Sequence, residues 1–469
     1  MSTRFIRSLI PGVMFLVLSA WMSGCSQAPV TGADSATQNI QQRAESGAAG
    51  ANAATDFDPV QLKKDADALM QRAGTENSVA LLQDAAVAYE QLLQLAPEDS
   101  SLQYQLYDVY YRLAAGGADN VEPRLRALFV ALPAPLRDAV RPPSLAVFLQ
   151  LFEKSENSKQ YDDDRLGGLL LAAIQEQPTE PATYLLLADG YLRTRHPALA
   201  IATVKQGLVH NPDHPASQKY LGQAYRAFVR SQSCIYSYRD EIQKAAESLR
   251  IASSQLPEDL KIRELLVDVY SLMNLAPLSA NEARKLYAER SDDVSAWLLA
   301  QSLSDIAQYE KSDELYQALT ARYPDVMYEP LAGNAALQGK WDAASQHWAQ
   351  HFYYSRQPAF YAALMRSVSD EQAYGNAAAT KIFAVLTENM DVSPWQARLR
   401  EFRLGRLTAD QLVATATDTC ERTEAFFYAG YAQKTQGNAR KAAEYFQSAV
   451  NEKAYSYKEY AMARYFLAH

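Results

Sequence analysis

The chain has 469 residues, 45 Lys and Arg against 54 Asp and Glu, and a formal net charge of −9. That length exceeds one ordinary hydrophobic core and calls for a repeat array or several domains. The acidic balance leaves no basic excess to release counterions, which argues against nucleic acid or an anionic lipid surface as a partner.

At the N-terminus Arg4 and Arg7 precede an apolar segment from Val13 to Leu18, followed by Met22, Ser23, Gly24 and Cys25. A basic stub, a short apolar core and small residues before a cleavage point read as a secretory signal over residues 1–24. The Met-Ser-Gly-Cys run resembles a bacterial lipobox. That resemblance implies acylation of Cys25 and, with Ser26 behind it, sorting to the outer membrane. Loss of Arg4 and Arg7 with the signal takes the net charge to −11. Residues 25–56 are Ala, Gly, Ser, Gln and Thr with scattered Asp and no apolar period. They read as a flexible tether with a reach of about 30 Å.

Helical patterning begins near Pro59 and fills residues 57–164 irregularly. Ala85, Tyr89, Leu92 and Pro97 mark the second helix of a hairpin, and Leu106 with Tyr110 the first helix of the next. Ala114–Gly117 break the pattern, and Pro133, Pro135, Pro142 and Pro143 punctuate two segments expected to be helical over about 122–131 and 144–155. Asp162, Asp163 and Asp164 read as a solvated loop and helix start rather than a cation site.

From Arg165 the spacing becomes regular through residue 357. Leu166, Leu170 and Ala173 lead to Pro178; then come Tyr184, Leu187, Ala188, Tyr191, Ala200, Val204, Gly207 and Pro212. This spacing resembles the 34-residue tetratricopeptide repeat, W-x2-L-G-x2-Y…A-x3-F…P. Its physical basis is a helix that buries one face, a turn, and a second helix with a small residue at the crossing. A proline then ends the unit. Neither helix buries its face alone, so copies must stack. The resemblance implies an all-α, right-handed solenoid of helical hairpins.

Leu221, Gly222, Tyr225, Ala245, Leu249, Ala252 and Pro257 form the next unit, with an insertion of about eleven residues around Ser231–Cys234 relative to the repeat length. Leu266, Tyr270, Ala283, Tyr287, Trp297, Ala300, Tyr316, Leu319 and Pro324 continue the pattern, as do Tyr328, Leu331, Ala332, Gly339, Trp341, Ala344 and Trp348. Residues 358–422 are degenerate but helical in spacing, with Phe383, Leu386, Trp395, Leu399, Phe402 and Leu412. A clear repeat returns over 423–469, with Phe426, Ala429, Gly430, Gly437, Ala442, Phe446 and Ala449, then a closing helix over 457–467. No stretch alternates as a strand would.

Catalytic signals are missing. His347 and His351 have the spacing of a zinc-protease helix, but Trp348, Ala349 and Gln350 lie between them and the general-base Glu is absent. No phosphate-binding loop, dinucleotide fingerprint or nucleophile elbow occurs. The expectation is a non-enzyme without metal or cofactor. Cys234 and Cys420 would meet an oxidising compartment, which invites a disulfide. They lie 186 positions apart in an array whose units touch mainly their neighbours, so two unpaired, partly buried cysteines are expected.

The tetratricopeptide resemblance further implies that first helices line a concave groove for partner peptides. The residues it assigns to that wall are Tyr104, Asp108, Tyr111 and Arg112; Leu185, Asp189 and Arg193; Lys219, Gln223 and Arg226; Lys261, Glu264 and Asp268; and Phe427, Tyr431 and Lys434. The last fifty residues, Glu424–Gly430 through Glu459–Ala461, also resemble the end of small outer-membrane repeat lipoproteins that act as adaptors for murein hydrolases and proteases. Together these readings lead to a lipid-anchored periplasmic scaffold binding envelope proteins or peptides. The alternatives are an assembly factor for an outer-membrane secretion, pilus or exopolysaccharide machine, and a regulator that binds peptidoglycan or polysaccharide.

Overall fold

The computed structural model describes residues 58–76, 78–158, 163–355 and 359–469. The signal, Cys25 and the tether lie outside the described residues. Among the described residues the regular structure is 24 α-helices and one 3-10 turn, with no strand. The fold is an all-α solenoid of helical hairpins. It divides into two compact units, one ending at Ser158 and one running from residue 159 to His469.

The first unit comprises α1 (Pro59–Glu76), α2 (Val79–Leu95), α3 (Ser100–Ala115), α4 (Glu122–Ala131), α5 (Ala134–Arg137) and α6 (Pro143–Ser158). Local chemistry sets the helix starts. Ser78 accepts from the Leu81 N–H, and Asp99 accepts from Ser101 and Leu102, so donors that the helix leaves open are satisfied. α1 and α2 pair through Leu69, Ala85 and Tyr89, all buried, and α3 adds Leu106 and Tyr107 to the same core. The proline-punctuated stretch forms the two expected helices, α4 and α6, with a single short turn α5 between them. There Arg137 donates to the carbonyls of Val130 and Leu132 at 3.1 and 3.0 Å, closing the frayed end of α4.

The second unit runs α7 (Asp163–Glu176), α8 (Pro181–Arg193), α9 (Pro197–Leu208), α10 (Pro215–Arg230), α11 (Arg239–Gln255), α12 (Leu260–Leu272), α13 (Ala276–Glu289), α14 (Asp293–Asp305) and α15 (Tyr309–Thr320). It continues with α16 (Pro324–Leu337), α17 (Trp341–Tyr354), α18 (Phe360–Tyr374), α19 (Asn376–Thr387), α20 (Pro394–Arg403), α21 (Ala409–Thr415), α22 (Thr419–Thr435), α23 (Ala439–Asn451) and α24 (Lys458–Ala468). Pro181, Pro197, Pro215, Pro324 and Pro394 stand in the first turns of their helices, where the missing N–H costs nothing.

Small residues let the hairpins close. A Cβ added at Gly222 would sit 2.5 Å from Leu249 Cγ, so only glycine admits α11 this close to α10. Serines stitch two other hairpins from within. Ser279 donates to the Val267 carbonyl at 2.8 Å, and Ser312 donates to the Ala300 carbonyl at 2.7 Å, in each case across twelve residues from second helix to first. The turn inside the hairpin also repeats: Arg195, Asn274, Ala307, Gly339 and Gly437 all have positive φ, between 59° and 81°. One left-handed residue per turn reverses the chain, and glycine fills that place without strain.

Residues 332–466 share one core in which Trp348, Phe383, Leu399, Leu412, Phe427 and Phe446 are almost fully buried. Degenerate spacing in 358–416 thus hides an ordinary apolar interior. α24 lies against both α22 and α16, so the closing helix caps more than its immediate neighbour.

Candidate functional site

The first helices α8, α10 and α12 pack against one another in order, and α12 against α14. Their outward charges are organised as ion pairs. Asp189 pairs with Arg193 along α8 at 3.0 Å; Lys219 of α10 reaches Asp259 at 2.6 Å, just before α12. Arg226 and Arg230 of α10 both bind Asp268 of α12. Burial works against the Asp268 carboxylate, but the two guanidiniums outweigh it and hold its pKa at about 2. Lys261 pairs with Glu264 at 2.6 Å, and Ser271 donates to Asp305 of α14 at 2.8 Å. Burial pushes the Asp305 carboxyl up, and the Ser271 bond only partly offsets this. Arg230 and Asp305 are exposed and Glu329 is half-buried. Leu185 and Gln223 stand half-buried in the same row.

Three of the residues assigned to the groove lie in cores instead. Phe427 is fully buried, and Tyr431 is 4% exposed with its hydroxyl donating to the Val368 carbonyl at 3.3 Å. The cause is α24, whose Phe466 packs on both rings and covers the face that a first helix inside an array would leave open. Lys434 stays exposed, its ammonium 5.3 Å from the Phe466 ring. In the first unit Tyr111 is buried against Tyr107, because α6 lies on α3; Tyr104 is exposed, and Asp108 pairs with Arg112 at 2.9 Å.

Cys234 and Cys420 form a disulfide with a Cα–Cα distance of 5.6 Å, which overturns the expectation of two unpaired cysteines. The neighbours-only rule fails here because the inserted segment 231–238 leaves the stack and meets the start of α22. Other contacts line the same seam. The Ser456 N–H donates to the Tyr236 hydroxyl at 2.7 Å, and Arg239 donates to the Glu452 and Lys453 carbonyls at 2.8 and 3.3 Å. Tyr236 also meets Tyr455 and Tyr457 edge-on. Asp418 caps α22 through the Cys420 and Glu421 N–H groups, both at 2.9 Å. Among the described residues Cys234, Asp418 and Cys420 are the one group of three with metal-ligand atoms close together, and the two sulfurs are bonded to each other.

Behind the seam lies a feature the sequence reading missed. Glu424 of α22 and Glu459 of α24 are both buried. Glu424 accepts from the Trp395 indole at 2.6 Å and the Tyr361 hydroxyl at 3.2 Å; Glu459 accepts from the Tyr428 hydroxyl at 2.9 Å. Burial raises both carboxyls, and the Glu459 charge raises Glu424 further. The available signal was helical spacing: Glu424 and Tyr428 are four apart, with Tyr431 three further on the same buried face.

His347 and His351 are packing residues. His347 stacks on Tyr328 with ring centroids 6.0 Å apart, and His351 is buried between Trp348 and Phe352. Burial lowers the pKa of each.

No family model matches the chain, and no curated protein matches it. Among solved structures it is similar to a tetratricopeptide repeat protein from Parabacteroides merdae, at 15% identity and a TM-score of 0.42 over 56% of this chain and 98% of that one. It is also similar to PilW, described as a widely conserved type IV pilus biogenesis factor, at 18% identity and a TM-score of 0.38 over 48% of this chain and 96% of that one. A third similarity is to the APC/C hetero-tetramer Cut9-Hcn1, at 10% identity and a TM-score of 0.39 over 93% and 90% of the two chains.

Proposed function

We propose that the protein is a non-enzymatic scaffold, anchored through an acylated Cys25 on the periplasmic side of the outer membrane, that holds other envelope proteins or peptides along its second unit. The observation that carries this reading is the contiguous row of polar and charged side chains on α8, α10, α12 and α14. Lys219, Arg226, Arg230 and Ser271 are fixed there by partners on the next helix in the stack. Side chains already held in place lose little further freedom when a partner docks, so more of each contact appears as affinity. Such a row offers hydrogen-bonding groups and paired charges over several helices, which suits an extended polypeptide better than a small molecule. The signal-like N-terminus and Cys25 support the anchor and the compartment.

The test is crosslinking in the native envelope of a Gram-negative host, followed by capture of the wild-type protein and of Cys25→Ala. The expected result is one defined set of envelope proteins, crosslinked in wild type and depleted in the unanchored form. Recovery of glycan with no stoichiometric protein would refute the scaffold reading.

A further inference from the structure

We infer that the inserted segment 231–238 is a hook, and that its disulfide makes the curl of the second unit conditional on oxidation. With the Cys234–Cys420 bond formed, the middle of the solenoid is tied to its C-terminal end; with two free thiols, the hook parts from the start of α22 and from residues 452–457, and the stack opens along the seam. This inference does not depend on the scaffold reading or on the lipid anchor.

Three observations lead to it. First, the seam is an interruption of the core. Cys234, Tyr236, Cys420 and Ala454 form their own small apolar cluster, with Ile235, Tyr455 and Tyr457 partly buried around it. On one side Ile235 and Tyr238 also pack against the core of α8–α12, so the hook stays with α10 and α11; on the other side the cluster shares no residue with the core of residues 332–466. Opening the seam therefore leaves both large cores closed, and the hydrophobic effect resists it only through this one small cluster.

Second, each side of the seam is complete without the other. α10 packs on α11, and α22 packs on α23, as ordinary hairpins. The chain between Cys234 and Cys420 holds its hairpins through neighbour contacts, as a solenoid does.

Third, among the described residues few polar and aromatic contacts cross the seam. They are the Ser456 N–H to Tyr236 hydroxyl bond, the two carbonyl bonds from Arg239, the edge-on tyrosine contacts, and Arg239 over the Tyr236 and Tyr455 rings. The Arg239 bonds are exposed and the Ser456 bond is partly buried, and each supplies only a modest net closure. The one strong tie is covalent.

The chemistry balances with a dithiol as reductant. A dithiol thiolate attacks one sulfur and the S–S bond breaks. The second thiol then resolves the mixed disulfide, leaving two S–H groups on the protein and a cyclic disulfide on the reductant. Oxidation in an oxidising compartment runs the reverse reaction with a protein disulfide as acceptor. Because both cysteines are buried, a reductant reaches them only when the hook breathes, which makes the closed state persistent once formed.

The test is amide hydrogen exchange on the full chain, oxidised and after reduction with dithiothreitol, with a free-thiol count confirming that the bond is broken. Exchange should accelerate by about tenfold or more in residues 231–238 and 452–457, including the Ser456 amide, while α8–α10 and α16–α23 keep their protection. Cys234→Ser, which cannot form the bond, should reproduce the reduced pattern without reductant and decides the matter if the wild-type bond resists reduction. Unchanged exchange at the seam after the bond is broken would overturn the inference. So would loosening throughout the second unit, because the disulfide would then support folding rather than act as a hook.

Discussion

Replacing Glu459 with glutamine should stabilise the second unit, and by more as pH rises. In the wild type two carboxyls lie buried together. The groups facing them are the Trp395 indole, the hydroxyls of Tyr361, Tyr428 and Tyr457, and the Asp418 carboxylate. Lys458 pulls the Glu459 carboxyl the other way, but its ammonium pairs with Glu329. Both carboxyls are raised in the folded state, chiefly by burial. A raised folded pKa contributes stability that is complete below the unfolded value near 4.5 and is lost as pH rises through the folded one. Within that window each such group costs about 1.4 kcal/mol per pH unit. In Glu459→Gln the amide keeps an acceptor for the Tyr428 hydroxyl and one buried charge is removed, so the variant should gain about 1–3 kcal/mol near pH 8 and nothing near pH 4. Urea unfolding followed by far-ultraviolet circular dichroism, with wild type and variant compared at several pH values, measures this directly. Parallel pH profiles, or a wild type that gains on the variant as pH rises, would refute the reasoning.

Four further outcomes follow from the geometry. Gly222→Ala should destabilise by about 1–3 kcal/mol despite the better helix propensity of alanine, because Leu249 is fully buried and cannot yield. Gly333→Ala meets nothing within 4 Å and should stabilise by about 0.5–1 kcal/mol; thermal unfolding giving the two the same sign would contradict the packing account. Ala307→Gly should stabilise by about 1 kcal/mol in the same assay, since alanine there has a φ of 59° that glycine adopts freely; a loss would show that the turn is not strained. Asp268→Asn should lower stability at neutral pH by about 1–3 kcal/mol, a figure already discounted for the partial exposure of both arginines. The lowered pKa of Asp268 means its contribution is present above about 3.8 and lost as pH falls through about 2, so unfolding curves of wild type and variant should converge in acid; persistent divergence there would assign the effect to packing.

Helix, turn and repeat were legible in the sequence because each depends on neighbours within one hairpin. The 3.6-residue period, the prolines in first turns and the small residues at crossings act over fewer than forty positions. That was enough to place α4 and α6 between their prolines, and to find the insertion before Cys234. Arg226 and Asp268, which the repeat spacing sets on consecutive first helices, meet as an ion pair because those helices pack together.

Contacts between distant positions were settled by tertiary structure alone. Phe427 and Tyr431 have the spacing of an open first helix, yet α24 folds back over them and makes them core. Cys234 and Cys420 are 186 positions apart, and only the curl of the stack brings them together. The Glu424–Glu459 pair likewise exists only because α24 returns against α22. The repeat period fixes how each hairpin meets the next, whereas small rotations at each junction accumulate along the solenoid. Where its end arrives, and what it covers there, depends on that sum and on no single motif.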